Sequence, residues 1–148
     1  MKITICGSVA FYDEMLKVKA DLEKVGHQVK LPPIEVPGKD GKMISVKEYY
    51  EIRKTASADE KWVWQRKGEA INNHFEKEVW ADAILVTNYD KNGVKGYVGG
   101  NTLMEMGVAF FLKKKIYFLN SIPDLSYTEE IFGMNPTVLH GDLSKIHE

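Results

Sequence analysis

A glycine-rich segment followed by one acidic residue is the part of the sequence best suited to chemistry. Three glycines within residues 96–100 precede a predicted helix that begins at Asn101 or Thr102. They would let the backbone approach a ligand, and the first amides of the helix would face the same place. Glu105 is the only ionisable group in the apolar stretch 103–112, which favours a catalytic role. The competing interpretation is a capping box, in which Glu105 bonds back to the amide of Thr102.

A second candidate site follows the first predicted strand, residues 2–6. Gly7 and Ser8 lie between this strand and a helix, so their amides and the Ser8 hydroxyl could face an anion. The sequence here is neither a G-x-G-x-x-G motif nor a P-loop, which disfavours a dinucleotide or P-loop site. A tight strand-to-helix turn is the alternative interpretation.

Alternating strands and helices must position these residues. Strands are predicted at residues 2–6, 27–31, 83–87, 116–119 and 138–139, and helices at 11–25, 61–80 and 101–112. The pattern predicts an α/β three-layer sandwich, flavodoxin- or Rossmann-like, with a mainly parallel sheet of four to five strands. Ligands of such folds bind beyond the carboxyl ends of the strands, here residues 7–8, 87–90 and 120–121.

Residues 37–61 interrupt this rhythm. They are rich in glycine and mixed charges and contain a short predicted helix at 46–54. A segment this long between regular elements is usually functional, so we predict an insertion that leaves the sheet as a lid or dimer element. Residues 1–148 as a whole are expected to form a single domain.

Composition and charge exclude several classes of function. Of the 148 residues, 44% are hydrophobic and 28% are charged, which is typical of a folded globular protein. The 20 basic and 21 acidic residues give a net charge of −1, so binding to nucleic acid or to a membrane surface is not expected. The N-terminus is apolar for too few residues to be a signal peptide, and no apolar run is long enough to cross a bilayer. We therefore expect a cytoplasmic protein.

Cysteine and histidine usage predicts neither a disulfide nor a metal site. The single cysteine, Cys6, cannot form an internal disulfide, which fits a reducing compartment. It ends a buried strand with no basic partner near it in sequence, so a small hydrophobic role is favoured over a nucleophilic one. The histidines show no spacing typical of metal ligands: His27, His74, His140 and His147. No metal and no cofactor are expected.

Several short motifs follow one another in a recognisable order. A strand ending in Cys-Gly-Ser is followed by Ala-Asp-Ala-Ile-Leu-Val at 81–86, a glycine-rich loop, Glu-Met-Gly-Val-Ala at 105–109 and Lys-Ile-Tyr at 115–117. This order resembles the nucleoside 2-deoxyribosyltransferase superfamily, which includes the 2′-deoxynucleoside 5′-phosphate N-hydrolases. The resemblance covers residues 3–33 and 70–121. It implies N-glycosidic bond cleavage or deoxyribosyl transfer on a nucleoside or nucleotide, through a covalent sugar–glutamate intermediate.

The resemblance also implies roles for individual residues. It makes Glu105 the nucleophile, because cleaving the N-glycosidic bond builds positive charge on the sugar that a carboxylate can stabilise or trap. A second acid must protonate the leaving base, and Asp90 is the candidate, with a turn aspartate as the alternative. His74 stands where the family carries an aspartate that orients the sugar, and a histidine supplies no permanent negative charge. The residues predicted to line the pocket are Gly7, Ser8, Phe11, Tyr12, Gly99, Gly100, Asn101 and Asn120.

The sequence departs from the nucleotide hydrolases of this superfamily in one further respect. Those enzymes carry an arginine directly after Gly-Ser, whereas residues 9–12 contain none. The alternative function is therefore a non-catalytic module of the same fold that binds a nucleotide. A flavodoxin-like electron carrier is a weaker option, because the first loop lacks the Ser/Thr-rich stretch that would wrap a flavin phosphate.

The resemblance also predicts self-association. Family members commonly pair so that one subunit completes the other's pocket, and we expect a homodimer or larger assembly. Residues 120–121 and the tryptophans at the end of the insertion, Trp62 and Trp64, are placed to take part. Packing within the chain is the alternative for the two tryptophans, because their spacing puts them on different faces of a helix.

Overall fold

The computed structural model describes residues 1–147, and its elements follow the predicted order. The strands are β1 Lys2–Cys6, β2 Gln28–Lys30, β3 Glu35–Pro37, β4 Met43–Ser45, β5 Ala83–Val86, β6 Lys115–Phe118 and β7 Thr137–Val138. The helices are α1 Tyr12–Lys24, α2 Val46–Thr55, α3 Lys61–Trp80, α4 Gly100–Phe111 and α5 Thr128–Gly133.

A parallel sheet of five strands within residues 1–147 forms the centre of the fold. The strand order is β2-β1-β5-β6-β7, and every neighbouring pair is parallel. Counting only the strands of this sheet, the order is that of flavodoxin-like folds, whose ligand crevice lies where the order reverses. That point is the gap between the carboxyl ends of β1 and β5. The predicted fold class, with its parallel sheet of four to five strands, is confirmed.

Helices cover both faces of the sheet. On one face, Met15 and Leu22 of α1 pack on Ile3, Ile5 and Leu85, all fully buried. The other face is covered by α3, α4 and α5. The sheet residues in the core on this side are Cys6, Ile84, Val86, Ile116 and Phe118. The central strand β5 is buried at every position, as its unbroken apolar run predicts. Residues on this face of the sheet, such as Cys6, therefore lie beneath the helices that carry the candidate site.

The insertion forms a small unit of its own. Strands β3 and β4 pair as an antiparallel hairpin, and the Val46 amide, at the start of α2, donates a 2.8 Å hydrogen bond to the Ile34 carbonyl at the neck of the hairpin. Tyr49 of α2 packs with Val36 and Val63, which attaches the unit to α3. Strands β3 and β4 lie outside the five-stranded sheet, and the predicted role of the segment as a lid or dimer element stays a prediction. The hairpin itself was not predicted, because strands of three residues show too little alternation to be recognised.

Several element boundaries differ from the prediction by one or two residues, and the start of α4 is the one that affects the site. Helix α4 begins at Gly100 with Gly99 as its N-cap, and the Leu103 amide donates to the Gly99 carbonyl at 2.9 Å. The predicted start at Asn101 or Thr102 is therefore late by one to two residues, because two successive glycines gave no start signal. The last strand, β7, lies one residue earlier than predicted, and the short helix α5 was not predicted.

None of the helices within residues 1–147 is long and apolar enough to cross a membrane.

Candidate active site

A pocket opens where the strand order reverses. It is formed by the turn after β1, the insertion, α3 and α4, and its lining includes Val36, Tyr49, Arg53, Lys67, His74 and Glu105. Gly7 marks the point where the chain leaves β1 for this pocket. A Cβ atom there would lie 2.5 Å from Thr87 Oγ1 and 2.9 Å from Met15 Cε, so only glycine fits between β5 and α1. The location is the one that the strand order predicts.

Glu105 forms part of the pocket wall. It lies in the second turn of α4 and is 4% exposed. Asn101 Nδ2 donates a hydrogen bond of 2.6 Å to Glu105 Oε1, which orients the carboxyl group. The other oxygen, Oε2, accepts no hydrogen bond, and the nearest cationic-type group is His74 Nε2 at 3.8 Å. One carboxyl oxygen is therefore fixed and the other is left without a partner.

The capping-box interpretation of Glu105 is wrong. Because α4 begins two residues earlier than Thr102, Thr102 lies inside the first turn and is buried. Glu105 is then too far along the helix to bond the N-cap amide, and its side chain bonds Asn101 instead. The helix start, at Gly99, has no side-chain cap. Burial of this carboxyl group thus serves no capping purpose.

Three further polar side chains surround Glu105 beneath the pocket. Cys6 Sγ lies 3.4 Å from His74 Nε2 and 3.8 Å from Glu78 Oε1. All four side chains are buried, and Glu78 Oε2, like Glu105 Oε2, accepts no hydrogen bond. His74 and Glu78 are one turn apart on α3, and Cys6 lies on β1 directly below. No basic residue lies near Cys6 in sequence, but the fold brings His74 to it from 68 residues away.

Burial determines the protonation of this cluster. It raises the pKa of Glu105 to about 8, opposed by the nearby Cys6 thiol, the charge of Lys67 and the hydrogen bond from Asn101. Burial and the charge of Glu105 raise the pKa of Glu78 to about 9. Burial and the charge of Lys77 lower the pKa of His74 to about 4. Burial also raises the pKa of the Cys6 thiol. The cluster is therefore mostly uncharged at neutral pH, which explains how it is buried without a counter-ion.

The same cluster offers a set of atoms that could hold a metal ion. One donor atom from each of Cys6, His74, Glu78 and Glu105 can be chosen so that all lie within 4.8 Å of one another. Thiolate, imidazole and carboxylate are the donors that Zn²⁺ accepts. The donors are spread over three elements, so sequence spacing could not reveal them. The expected absence of a metal stays a prediction.

The outer half of the pocket carries basic side chains that the sequence analysis did not single out. Arg53 comes from α2, Lys67 from α3 and Lys91 from the loop after β5. Lys67 Nζ donates a 3.0 Å hydrogen bond to Asn101 Oδ1, so Asn101 joins Lys67 to Glu105. One available signal was missed: Lys67, His74 and Glu78 recur at helical spacing on one face of α3. For Arg53 and Lys91 the sequence offers no signal.

The structure brings five of the predicted pocket residues together at this mouth. They are Gly7, Ser8, Gly99, Gly100 and Asn101. The buried side chains of the predicted catalytic pair Glu105 and His74 lie at the inner end. His74 is 4% exposed, which rules out a surface histidine. Seven of the eleven predicted site residues therefore line the pocket, and their roles stay predictions.

Four predicted site residues lie outside this lining and have structural contacts of their own. The Phe11 ring packs on Tyr89, and the Tyr12 hydroxyl donates to the Pro32 carbonyl at 2.9 Å. Asp90 is exposed, and its carboxylate accepts a 2.9 Å hydrogen bond from the Gly96 amide. Asn120 bonds Asn88 through its amide and its side chain. The bonds between Asn120 and Asn88 join the loops after β5 and β6.

Comparisons with known proteins give a distant relationship in fold. No family model matches the chain, and no curated protein matches it significantly. Among solved structures, the chain is similar to a 2-deoxyribosyltransferase from the psychrotolerant bacterium Bacillus psychrosaccharolyticus. The identity is 19%, the TM-score is 0.45, and the match covers 80% of this chain and 71% of the other. A likeness of this size concerns the fold, and the chemistry must be argued from the site itself.

Proposed function

We propose that this protein cleaves the N-glycosidic bond of a nucleoside or nucleotide, with Glu105 as the nucleophile. One observation carries the proposal: in a pocket at the switch point of the sheet, Glu105 has one oxygen held by Asn101 and the other without a partner. A structural carboxyl group at 4% exposure would be expected to satisfy both oxygens. A nucleophile must instead keep one oxygen free for the substrate. The sequence motifs around Glu105 support the same role.

The reaction follows from this geometry in two steps. Glu105 Oε2 attacks the anomeric carbon of the sugar and forms a C–O bond while the C–N bond to the base breaks. The electron pair of that bond goes to the leaving nitrogen, which takes a proton. Water or a second base then attacks the same carbon and releases Glu105, which distinguishes hydrolysis from transfer.

The pocket walls suit a base and a sugar. Val36, Val46 and Tyr49 of the insertion give one apolar side, and Pro32 and Pro33 extend it. Apolar walls with few polar groups are typical of small-molecule sites. We assign the base to this apolar side, because the only carboxyl group in the lining is Glu105, which must face the sugar.

Of the two other predicted catalytic residues, His74 lines the pocket and Asp90 does not. His74 is neutral at pH 7 and reaches the pocket, so it offers a hydrogen bond to a sugar hydroxyl without adding charge. Asp90 as the acid for the leaving base stays a prediction, since its carboxylate bonds Gly96 and lies outside the pocket lining. Asp90→Asn tests it: an acid contributes about 10²–10⁴-fold, and substrates with good leaving groups are spared.

The second candidate is a binding module of the same fold, and one observation favours it. With a pKa of about 8, Glu105 is mostly protonated at neutral pH, and a carboxylic acid is a poor nucleophile. A neutral Glu105 would still hydrogen-bond a ligand. Turnover that increases with pH would support the enzyme, because deprotonation makes Glu105 a better nucleophile. A binding module would show no turnover at any pH.

A base-release assay tests the proposal. The protein is incubated with purine and pyrimidine ribo- and deoxyribonucleosides and their 5′-monophosphates, and free base is separated by chromatography. We expect release from at least one compound, and loss of release in Glu105→Gln. Glu76→Gln, an exposed change on α3, is the matched control and should keep full turnover. Binding of a compound without any base release would establish the binding module instead.

The predicted homodimer stays part of the proposal. The Trp64 indole donates to the Ser57 carbonyl, and Trp62 packs on Tyr49, so both tryptophans have contacts within the chain. These contacts fit the packing alternative and do not decide the assembly. Light scattering at micromolar concentration decides it: a dimer has roughly twice the 16.8 kDa mass of one chain.

A further inference from the structure

The outer half of the pocket is a concentration of positive charge. Arg53, Lys67 and Lys91 line it together, although they come from three different segments of the chain. Neutral side chains of the same lining include Ser8, Tyr50 and Tyr97. No carboxylate belongs to this lining within residues 1–147.

These three cations face the same space without a carboxylate partner. Within residues 1–147, neither Arg53, Lys67 nor Lys91 forms an ion pair with a carboxylate, whereas Lys47 and Lys54 on the same insertion each do. Three unpaired positive charges facing one space repel one another. An anion bound between them would remove that repulsion.

Neutral groups hold the cations in place. Lys91 Nζ donates to Ser8 Oγ at 2.9 Å and to the Tyr50 hydroxyl at 3.1 Å. The Arg53 guanidinium lies 5.3 Å from the centres of the Tyr49 and Tyr50 rings, so it stacks without using its donors. These contacts fix the positions of the charges and leave several N–H groups for a ligand.

The start of α4 adds backbone donors to the same space. Gly99 and Gly100 belong to the lining, and the first amides of the helix have no intrahelical partner. No side chain caps this end. The helix dipole favours an anion here as well. The unpartnered oxygen of the buried Glu105 lies in the adjoining inner half.

We infer that this basic mouth binds the 5′-phosphate of a nucleoside monophosphate, so that the substrate is a nucleotide rather than a nucleoside. The inference rests on the proposed function, because it takes the sugar to lie against Glu105. Asn101 connects the two halves: its side chain accepts from Lys67 and donates to Glu105. A phosphate bound by Lys67 would therefore be separated from Glu105 by the Asn101 side chain. This arrangement suits a nucleotide, because its phosphate is attached to the sugar that reacts with Glu105.

The source of the charge distinguishes this chain from the nucleotide hydrolases that its motifs resemble. Those enzymes carry an arginine directly after Gly-Ser, where this chain has Val9. Here Arg53 of the insertion and Lys91 of the loop after β5 supply the positive charge. The insertion thus replaces the missing arginine from a different direction.

Paired ligands test the inference by calorimetry. The inactive Glu105→Gln protein is titrated with a deoxynucleoside, its 5′-monophosphate, its 3′-monophosphate and inorganic phosphate, at low and high salt. We expect the 5′-monophosphate to bind at least tenfold more tightly than the nucleoside, with a preference that weakens at high salt. Arg53→Gln and Lys91→Gln, each added to that background, should remove most of the preference. Lys39→Gln, an exposed change in the same insertion, should keep it.

The outcomes separate the inference from the proposed function. Equal affinities for nucleoside and 5′-monophosphate would overturn the inference, as would a preference that survives both Arg53→Gln and Lys91→Gln. Equal binding of 3′- and 5′-monophosphates would also overturn it, because a general anion site cannot tell them apart. If the 5′-monophosphate is preferred but wild-type protein releases no base, the phosphate site stands and the proposed function fails. If nucleosides are cleaved as fast as monophosphates, the proposed function stands and the phosphate site fails.

Discussion

Asn101 holds Glu105 through a hydrogen bond of 2.6 Å from Nδ2 to Oε1 within one turn of α4. An i, i+4 pair on a helix surface is ordinary, but here both side chains face a pocket. The bond satisfies Oε1 and leaves Oε2 as the carboxyl oxygen without a hydrogen-bond partner. It also stabilises the charged form of Glu105, since it lowers the pKa of that group.

Replacing Asn101 should therefore affect both geometry and ionisation. In Asn101→Ala, we expect turnover to fall by about ten- to a hundredfold, because the carboxyl group loses its orientation. The pKa of Glu105 should rise, so the pH–rate profile should move to higher pH. Measurement of kcat/KM across the pH range checks both effects. A fall in turnover without any movement of the profile would mean that Asn101 acts on substrate binding alone.

Removing the nucleophile should leave the fold intact. Glu105→Gln keeps the size of the side chain and replaces a group that is mostly neutral at pH 7, so the free energy of unfolding should change by less than about 1 kcal/mol. Turnover should fall by several orders of magnitude, because an amide cannot form the covalent intermediate. Mass spectrometry of wild-type protein quenched during turnover should find a sugar adduct on the peptide that contains Glu105. Full base release by the variant would end the covalent hypothesis.

Turnover should increase as the pH rises from 7 to 9. The groups facing Glu105 are Cys6, His74 and Glu78, with the charges of Lys67 and Lys77 nearby. With a pKa of about 8, only the deprotonated minority attacks at pH 7, and this fraction grows about tenfold by pH 9. We therefore expect kcat/KM to rise with pH over this range. A profile that falls over the same range would assign Glu105 a role as an acid.

Stability should change with pH in the opposite sense. The pKa of Glu78 is about 9 in the folded chain, above its ordinary value of 4.5, so the folded state binds more protons between these values. Stability is then highest below the unfolded pKa and is lost as pH rises through the folded one. Glu78→Gln removes this contribution, so its melting temperature should fall less than that of wild type from pH 5 to pH 9. Parallel curves for the two proteins would show that Glu78 is not buried in its neutral form.

Zinc should act as an inhibitor and not as a cofactor. No step of the proposed reaction uses a metal, so millimolar EDTA should leave base release unchanged. Added zinc should inhibit, because the donor atoms of Cys6, His74, Glu78 and Glu105 lie within 4.8 Å of one another and include the nucleophile. Cys6→Ser should weaken this inhibition, as a hydroxyl is a poor zinc ligand. Activity lost in EDTA and restored by zinc would show a metal-dependent reaction.

The parallel sheet and Glu105 could be predicted from the sequence because their signals are local. The apolar run at β5 indicates a buried strand, and a lone glutamate in the apolar helix α4 is conspicuous. His74 emerged only through the resemblance to a family. Its contact with Cys6 spans 68 residues, and no periodic pattern reports a contact of that kind.

Other differences between the sequence prediction and the structure lie in loops. Glycines carry no side chain that marks a helix start, so the sequence predicts a late start for α4 and leaves a capping role open for Glu105. Asp90 follows a strand end, which favours the acid role, whereas its carboxylate accepts a hydrogen bond from the Gly96 amide in the structure; the role stays a prediction. The position of Arg53 depends on how the insertion folds back over α3, which sequence patterns do not specify.

The hydrogen bond between Ile34 and Val46 closes the neck of the β3–β4 hairpin before α2 begins. The carboxyl group at the inner end and the arginine at the mouth belong to different stretches of chain, one on α4 and one on α2 of the insertion. Mutations at the arginine can therefore alter which ligands are admitted while the helix that carries Glu105 is unchanged. Ligand preference in this protein is thus open to gradual evolutionary change, and to laboratory exchange of the insertion, while the reacting centre is kept.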